Sequence, residues 1–132
     1  PNGAVDGVSV AAAVGKDVSQ VFKTLVTRGA SKKNYVFVVP VAMELDLKAA
    51  AKAAGEKSIE MIRQAELLPL TGYVHGGCSP LGMKKQFPTF IDASAQEQET
   101  MMVSAGKIGA QVELKPDDLA TLARARFAPI AK

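Results

Sequence analysis

The only histidine and the only cysteine of the chain, His75 and Cys78, stand three residues apart in one stretch, Gly72–Asp92 (GYVHGGCSPLGMKKQFPTFID). The same stretch holds four glycines, two prolines and the adjacent pair Lys84 and Lys85. A catalytic cysteine needs a base or cation beside it to become a thiolate. Nearness in sequence does not join the two side chains, and no Cys-His-Asn arrangement can be read, so a small apolar residue facing the core is the stronger reading of Cys78. One Cys and one His fall short of a usual zinc set, and no metal or other cofactor is expected. Asp46, Asp92, Glu113 and Asp117 each have an ordinary role as a cap or a surface residue. Neither GxxxxGK[ST] nor GxGxxG is present. Gly76–Gly82 followed by Lys84 and Lys85 nevertheless offers backbone N–H groups and cations together, as in an anion-binding nest. The same donors suit a carbonyl oxygen as negative charge develops on it. The competing reading is a solvated lysine pair on an ordinary connector. Gly76, Gly77 and Gly82 let another molecule approach the main chain, while Pro80 fixes its own φ and holds Ser79 extended.

Lys23 invites the same question. It interrupts an apolar run, VFKTLV, and alternation places it on the face of Val21 and Leu25. It either reaches water from an edge strand or presents a cation to a cleft.

The elements that must position these residues alternate irregularly. Asp6–Val14 is an alanine-rich helix candidate, and Asp17–Val21 is a further turn or a lead into a strand. Val21–Thr27 and Tyr35–Val41 read as strands joined by the polar Arg28–Asn34, a hairpin with a basic tip. Asp46–Ala54 is the clearest helix, capped by Asp46 and ended by Gly55. Leu47, Ala50, Ala51 and Ala54 form its buried face, with Lys48 and Lys52 on another. Ser58–Ile62 is a short strand, and Arg63–Leu68 is one or two helical turns ended by Pro69. After the glycine stretch, whose end Thr89–Ile91 is strand-like, Ala93–Glu99 is a turn or short helix. Thr100–Ser104 and Ala110–Leu114 are strands around the hairpin-like Ala105–Gly109. Lys115–Ala125 is a helix starting at Pro116, with Leu119, Leu122 and Ala123 on its apolar face. Ala128–Lys132 is too short to assign. About six or seven strands and three or four helices in this order predict an α+β fold, a mixed, partly barrel-like sheet with peripheral helices.

The chain has 132 residues, 48% of them hydrophobic, which suits one domain spanning 1–132 with a real core. It begins with Pro1, which points to an N-terminal piece preceding it. Sixteen basic and 13 acidic residues give a net charge of +3, mild but compatible with a phosphate-bearing partner. A lone thiol suits a reducing cytoplasm. No run of apolar residues is long enough to predict a membrane span.

Taken together, GYVHGGCSPLGMKKQFPTFID, the upstream FKTLV, VPVAMELDLKAAAKAAG and the later VSAGKIGAQVEL with its PDDL helix resemble, in order, the YbaK/EbsC family. The glycine stretch is similar to that family's GYxxGGxSPxGxKK. The resemblance covers nearly the whole chain and leans toward the branch that deacylates Cys-tRNA(Pro). It implies trans-editing of a mischarged tRNA. Cysteine is close to proline in size, so a second site must remove what the synthetase pocket admits. It implies an active-site role for Lys23, at the terminal adenosine or beside the ester, and main-chain contact of Gly76 and Gly77 with the aminoacyl ester. Ser79, Pro80 and Gly82 would shape the loop, and Ser104, Gly106 and Gln111 would line the facing wall. Lys84 and Lys85 would touch tRNA, and prolyl-tRNA synthetase is an implied partner. In that branch the substrate's own thiol is held to attack its carbonyl, which needs no protein nucleophile. Two departures stand out. Members carry a tyrosine in a strand before the segment that starts here, and many have an aspartate where this chain has Gln111. Deacylation of Ala- or other small-residue-charged tRNA, and a non-catalytic tRNA- or synthetase-binding module, are the alternatives.

Overall fold

The computed structural model describes residues 18–132; the helix expected over Asp6–Val14 lies outside them. Seven strands follow one short 3₁₀ turn, Val18–Gln20: β1 (Phe22–Gly29), β2 (Asn34–Pro40), β3 (Ile59–Met61), β4 (Thr89–Asp92), β5 (Met101–Ser104), β6 (Gln111–Leu114) and β7 (Ala125–Ala128). The helices are α1 (Leu47–Ala54), α2 (Gln64–Thr71) and α3 (Pro116–Ala123). A five-stranded sheet runs in the order β3-β1-β2-β4-β7, and β5 and β6 form a separate antiparallel pair. β1 lies antiparallel to β2 and β3, whereas β4 lies parallel to β2 and to β7, so the sheet is mixed as expected. A single parallel bridge, Val21 to Met102, brings β5 beside the start of β1, and the sheet curls there without closing into a barrel.

β2 explains why the sheet is central. Its run Tyr35–Val39 is buried on both faces, as an apolar strand without polar alternation must be. Val38 faces Phe22, Ile91, Met101, Val103 and Leu119 on one side. Tyr35, Phe37 and Val39 face Ala50, Ala51, Ile59 and Ile130 on the other. The Phe37 and Phe90 rings stack at 5.5 Å. Small residues let α1 sit close to this second face. Asp46 caps α1 by accepting from the Lys48 and Ala49 N–H groups, and Gly55 ends it in the left-handed region at φ 72°.

Four sequence readings need correcting. Leu47 and Leu122 were expected on buried faces but are exposed, at 42% and 63%. The burial stripes of these two-turn helices are narrow, reaching only Ala50 and Ala51 in α1 and Leu119 and Ala123 in α3. Pro69 does not end α2, which runs on to Thr71 and stops at Gly72, φ 87°. Proline removes one intrahelical bond there, while the Thr71 hydroxyl and the Gly72 N–H close the last turn on the Leu67 and Leu68 carbonyls. Finally, the helix expected to reach Ala125 ends at Ala123, and Ala125–Ala128 is the edge strand β7. Asp92 also does more than cap. Its buried carboxylate accepts the Ile130 and Ala131 N–H groups at 3.0 and 2.9 Å and ties the C-terminal tail to β4.

Candidate active site

The glycine stretch is anchored at both ends before it does anything else. Cys78 and Phe87 are buried with Val26, Val36 and Leu67, so the loop is nailed to the sheet and to α2 by its own side chains. Burial pushes the Cys78 thiol up to about 11, against a smaller opposing pull from a hydrogen bond with Thr71. At neutral pH that thiol is protonated, and His75 is solvent-exposed. The pair is therefore not a nucleophile and its base.

Between the anchors the backbone folds tightly. Gly76 takes φ 86° and Gly82 φ 72°. Gly77 is buried, and a Cβ there would stand 3.0 Å from the Ile108 nitrogen and 3.1 Å from the Lys107 carbonyl carbon. The loop thus meets the β5–β6 turn main chain to main chain, an approach only glycine allows. The Gly77 N–H donates to the Val74 carbonyl at 3.0 Å and is spent within the loop. No described residue accepts from the Gly76 N–H. Ser79 and Pro80 are buried, and the Ser79 hydroxyl accepts the Leu81 N–H at 3.1 Å.

Across the contact, Ser104 pairs with Gln111 at the end of the β5–β6 ladder. The buried Ser104 hydroxyl accepts the Gly106 N–H at 3.1 Å, and Gly106 takes φ 102°. Oε1 of Gln111 is buried without a partner among the described residues. An acceptor left in that state costs about 1–3 kcal/mol unless a ligand meets it. Sequence reasoning missed Tyr73, which holds the two walls together. Its hydroxyl donates to the Leu81 carbonyl, and its ring packs where a Cβ at Gly82 or Gly106 would have to be. The available signal was an aromatic residue in a stretch whose glycines leave room for a ring.

Lys23 lies on β1, half-buried, opposite Val39. It stands two residues beyond Val21, as Ser104 stands two beyond Met102, so the parallel bridge sends both toward the same level. It makes no ion pair or hydrogen bond with another described residue. A cleft of about 220 Å³ opens on the other side of the loop, between β1, the β3–α2 connection and His75. Lys84 and Lys85 are exposed, and the aliphatic stem of Lys84 lies over Gly72. Among the described residues no group of three or more His, Cys, Asp or Glu could hold a metal ion. No described helix is long and apolar enough to cross a membrane. Of the residues singled out in the sequence, the fold brings the Gly76–Gly77 loop against the turn carrying Ser104 and Gly106, with Gln111 paired to Ser104. Lys23 enters from the neighbouring strand.

The family model of the aminoacyl-tRNA editing domain matches residues 3–122. The chain is 48% identical over 122 residues to EbsC of Enterococcus faecalis, named as a candidate Cys-tRNA(Pro)/Cys-tRNA(Cys) deacylase, covering 92% of this chain and 74% of that one. It is 26% identical over 106 residues to YwhH of Bacillus subtilis, covering 80% and 67%. Among solved structures, a candidate trans-editing enzyme for prolyl-tRNA synthetase superposes with a TM-score of 0.92 at 27% identity, over 100% of this chain and 83% of that one.

Proposed function

The chain belongs to the aminoacyl-tRNA editing domain family, and from that premise we propose that it removes cysteine from Cys-tRNA(Pro). Hydrolysis of a mischarged aminoacyl ester is the reaction of such a deacylase; the choice of cysteine and the roles below are our reading. The observation that carries it is the main-chain contact of the Gly76–Gly77 loop with the β5–β6 turn, with Lys23 half-buried on β1, whose start the Val21–Met102 bridge joins to β5. An ester carbonyl laid on this loop would receive the free Gly76 N–H as its oxygen gains charge. Gly77 serves by lacking a side chain, since its own N–H is already used. Lys23 supplies a positive charge near the same oxygen or the neighbouring phosphate. The Ser104 hydroxyl and the orphaned Gln111 oxygen would meet the α-ammonium group of the amino acid. Ser79, Pro80 and Gly82 hold the loop's shape.

With Cys78 protonated and buried, the nucleophile is supplied by the substrate. Its sulfur forms a bond to the carbonyl carbon, the carbon–oxygen bond to the ribose breaks, and the thiol proton goes to the departing ribose oxygen. Water then opens the thiolactone to free cysteine. Positioning and charge stabilisation are what the protein contributes. The mild net charge of +3 gives weak hold on tRNA alone, so prolyl-tRNA synthetase is the fitting partner and the cytoplasm the fitting place.

A panel of Cys-, Ser- and Ala-charged tRNA(Pro) tests this. Cys-tRNA(Pro) should be hydrolysed fastest, and Lys23→Ala should lower the rate on the order of 10²-fold without lowering Tm. Equal rates for Cys and Ser would remove thiol assistance. A preference for Ala would move the specificity to the alternative deacylase, and tRNA binding without turnover would make the protein a binding module.

A further inference from the structure

The net charge of the chain is concentrated in one part of it. Residues 28–57 carry six basic and three acidic side chains, so this stretch holds the whole excess of +3 and the two signs balance elsewhere. The fold gathers its lysines around the β1–β2 turn. Glu56, just past α1, accepts the Ser31 N–H at 3.1 Å and the Ser31 and Tyr35 hydroxyls at 2.5 and 2.6 Å. The Ala30 N–H donates to the Ser58 carbonyl at 3.1 Å. Lys57 therefore stands between two residues that both bond the turn carrying Lys32 and Lys33. Lys52 lies in the last turn of α1, and Lys48 stands one turn behind it on the same face. All five lysines are exposed. The ion pairs among the described residues join Arg28 and Arg63 to Glu66 and include none of the five. The nearest acid, Glu56, is already engaged by three donors.

The turn also holds a strained residue. The Lys32 N–H closes it on the Gly29 carbonyl at 2.9 Å, and Lys32 takes φ 76°. That left-handed position in a short hairpin loop is ordinarily given to glycine. A lysine there strains the backbone and keeps a cation at the tip. Apolar anchors are scarce at this end: within residues 28–57, Leu47 is the one exposed large hydrophobic side chain. The core of a protein interface is poor in lysine and rich in aromatic and apolar residues, so the patch suits phosphates better than a protein.

We propose that this lysine-bearing end binds backbone phosphates of the tRNA substrate's acceptor arm, away from the ester site. The proposal rests on the deacylase reading above for the identity of the RNA. β1 links the two places. Lys23 and Gly29 stand six residues apart on it, about 20 Å at the rise of an antiparallel strand. An RNA strand whose 3′ end is held at the glycine loop spans that distance within several nucleotides. Its backbone, and not its reacting end, can then lie on the lysines. Such contacts position the RNA without reading its sequence.

The full chain with Lys32→Gln, Lys52→Gln and Lys57→Gln together tests this. Uncharged tRNA(Pro) should bind the variant at least about ten-fold more weakly, and the slope of log affinity against log salt should flatten by about 2. With Cys-tRNA(Pro) the loss should fall on KM. Lys32→Gly alone relaxes the strained backbone, so it should weaken tRNA binding without lowering Tm. A slope and KM equal to those of wild type, with hydrolysis retained, would overturn the phosphate site and leave the deacylase reading standing. Weakened tRNA binding by the variant, with no hydrolysis even by wild type, would uphold the site and overturn the deacylase reading. Unchanged tRNA binding with weakened binding to prolyl-tRNA synthetase would assign the patch to an acidic protein surface and overturn the proposal.

Discussion

A single methyl group at Gly77 separates two functions that glycine can have in a loop. Its φ lies outside the left-handed region, unlike those of Gly76 and Gly82, so backbone strain is not what excludes a side chain there. Contact is what excludes it: the added carbon would press on the main chain of Lys107 and Ile108, which cannot swing aside as a long side chain would. Gly77→Ala should therefore part the loop from the β5–β6 turn and lower kcat/KM for Cys-tRNA(Pro) by roughly 10–100-fold, the scale of a misplacement of about 1 Å. Circular dichroism and Tm should stay close to wild type, because the loop's anchors, Cys78 and Phe87, are untouched. An unchanged kcat/KM would remove the contact from the mechanism. Cys78 itself shows how a residue of reactive type is spent on packing, its thiol raised by burial and not lowered for attack.

At the scale of elements, the basic hairpin between β1 and β2 is held by an acid from elsewhere. Glu56, just past α1, accepts the Ser31 N–H and hydroxyl and the Tyr35 hydroxyl, and Gly29 leaves space for its carboxylate. The Ser31 hydroxyl, followed by the Tyr35 hydroxyl, holds Glu56 below the ordinary carboxylate value, while Tyr35 is raised chiefly by that bond to Glu56. Glu66, at the start of α2, is lowered mainly by the Arg28 guanidinium 2.8 Å away. A carboxylate lowered in the folded state adds stability above its unfolded value, about 4.3, and that stability is lost as pH falls through the folded value. Tm should therefore be flat near neutrality and fall once pH drops below about 4.3. Glu56→Gln should start lower at pH 7, on the order of 5 °C, and fall less on acidification, as scanning calorimetry across pH 7 to 3 would record. A variant that lost Tm in parallel with wild type at every pH would show that these bonds do not carry the acid sensitivity.

For the molecule as a whole, the candidate site lies where three parts meet: the start of β1, the anchored glycine loop and the β5–β6 pair. None of the three forms it alone, which is why the sheet must curl at Val21 before the loop has a facing wall. Outside this meeting point the surface carries Lys84 and Lys85 exposed on the far part of the same stretch. If both rest on tRNA phosphates, the variant with Lys84→Glu and Lys85→Glu should flatten the slope of log affinity against log salt by about 1.5, with kcat nearly unchanged at saturating tRNA. A slope equal to that of wild type would confine these lysines to solubility.

Much of this was legible in the residues alone. Asp46 and Gly55 bound α1, Pro116 opened α3, and YVFVV marked the buried strand, because caps, proline geometry and apolar runs act within a few residues of where they stand. The string GGCSPLGMKK and its partners pointed to the editing family before any contact was known. Tertiary structure decided the rest. That Ala125–Ala128 is a strand depends on β4 lying open beside it, and that Leu47 and Leu122 face water depends on how far each helix is covered. That a side chain at Gly77 would meet the β5–β6 turn, that Tyr73 reaches both Leu81 and Gly106 and that the Thr24 hydroxyl is buried without a partner among the described residues are facts about neighbours many positions away. Sequence determined which residues could bend, cap and charge the chain; long-range contact determined which of them look into the same space.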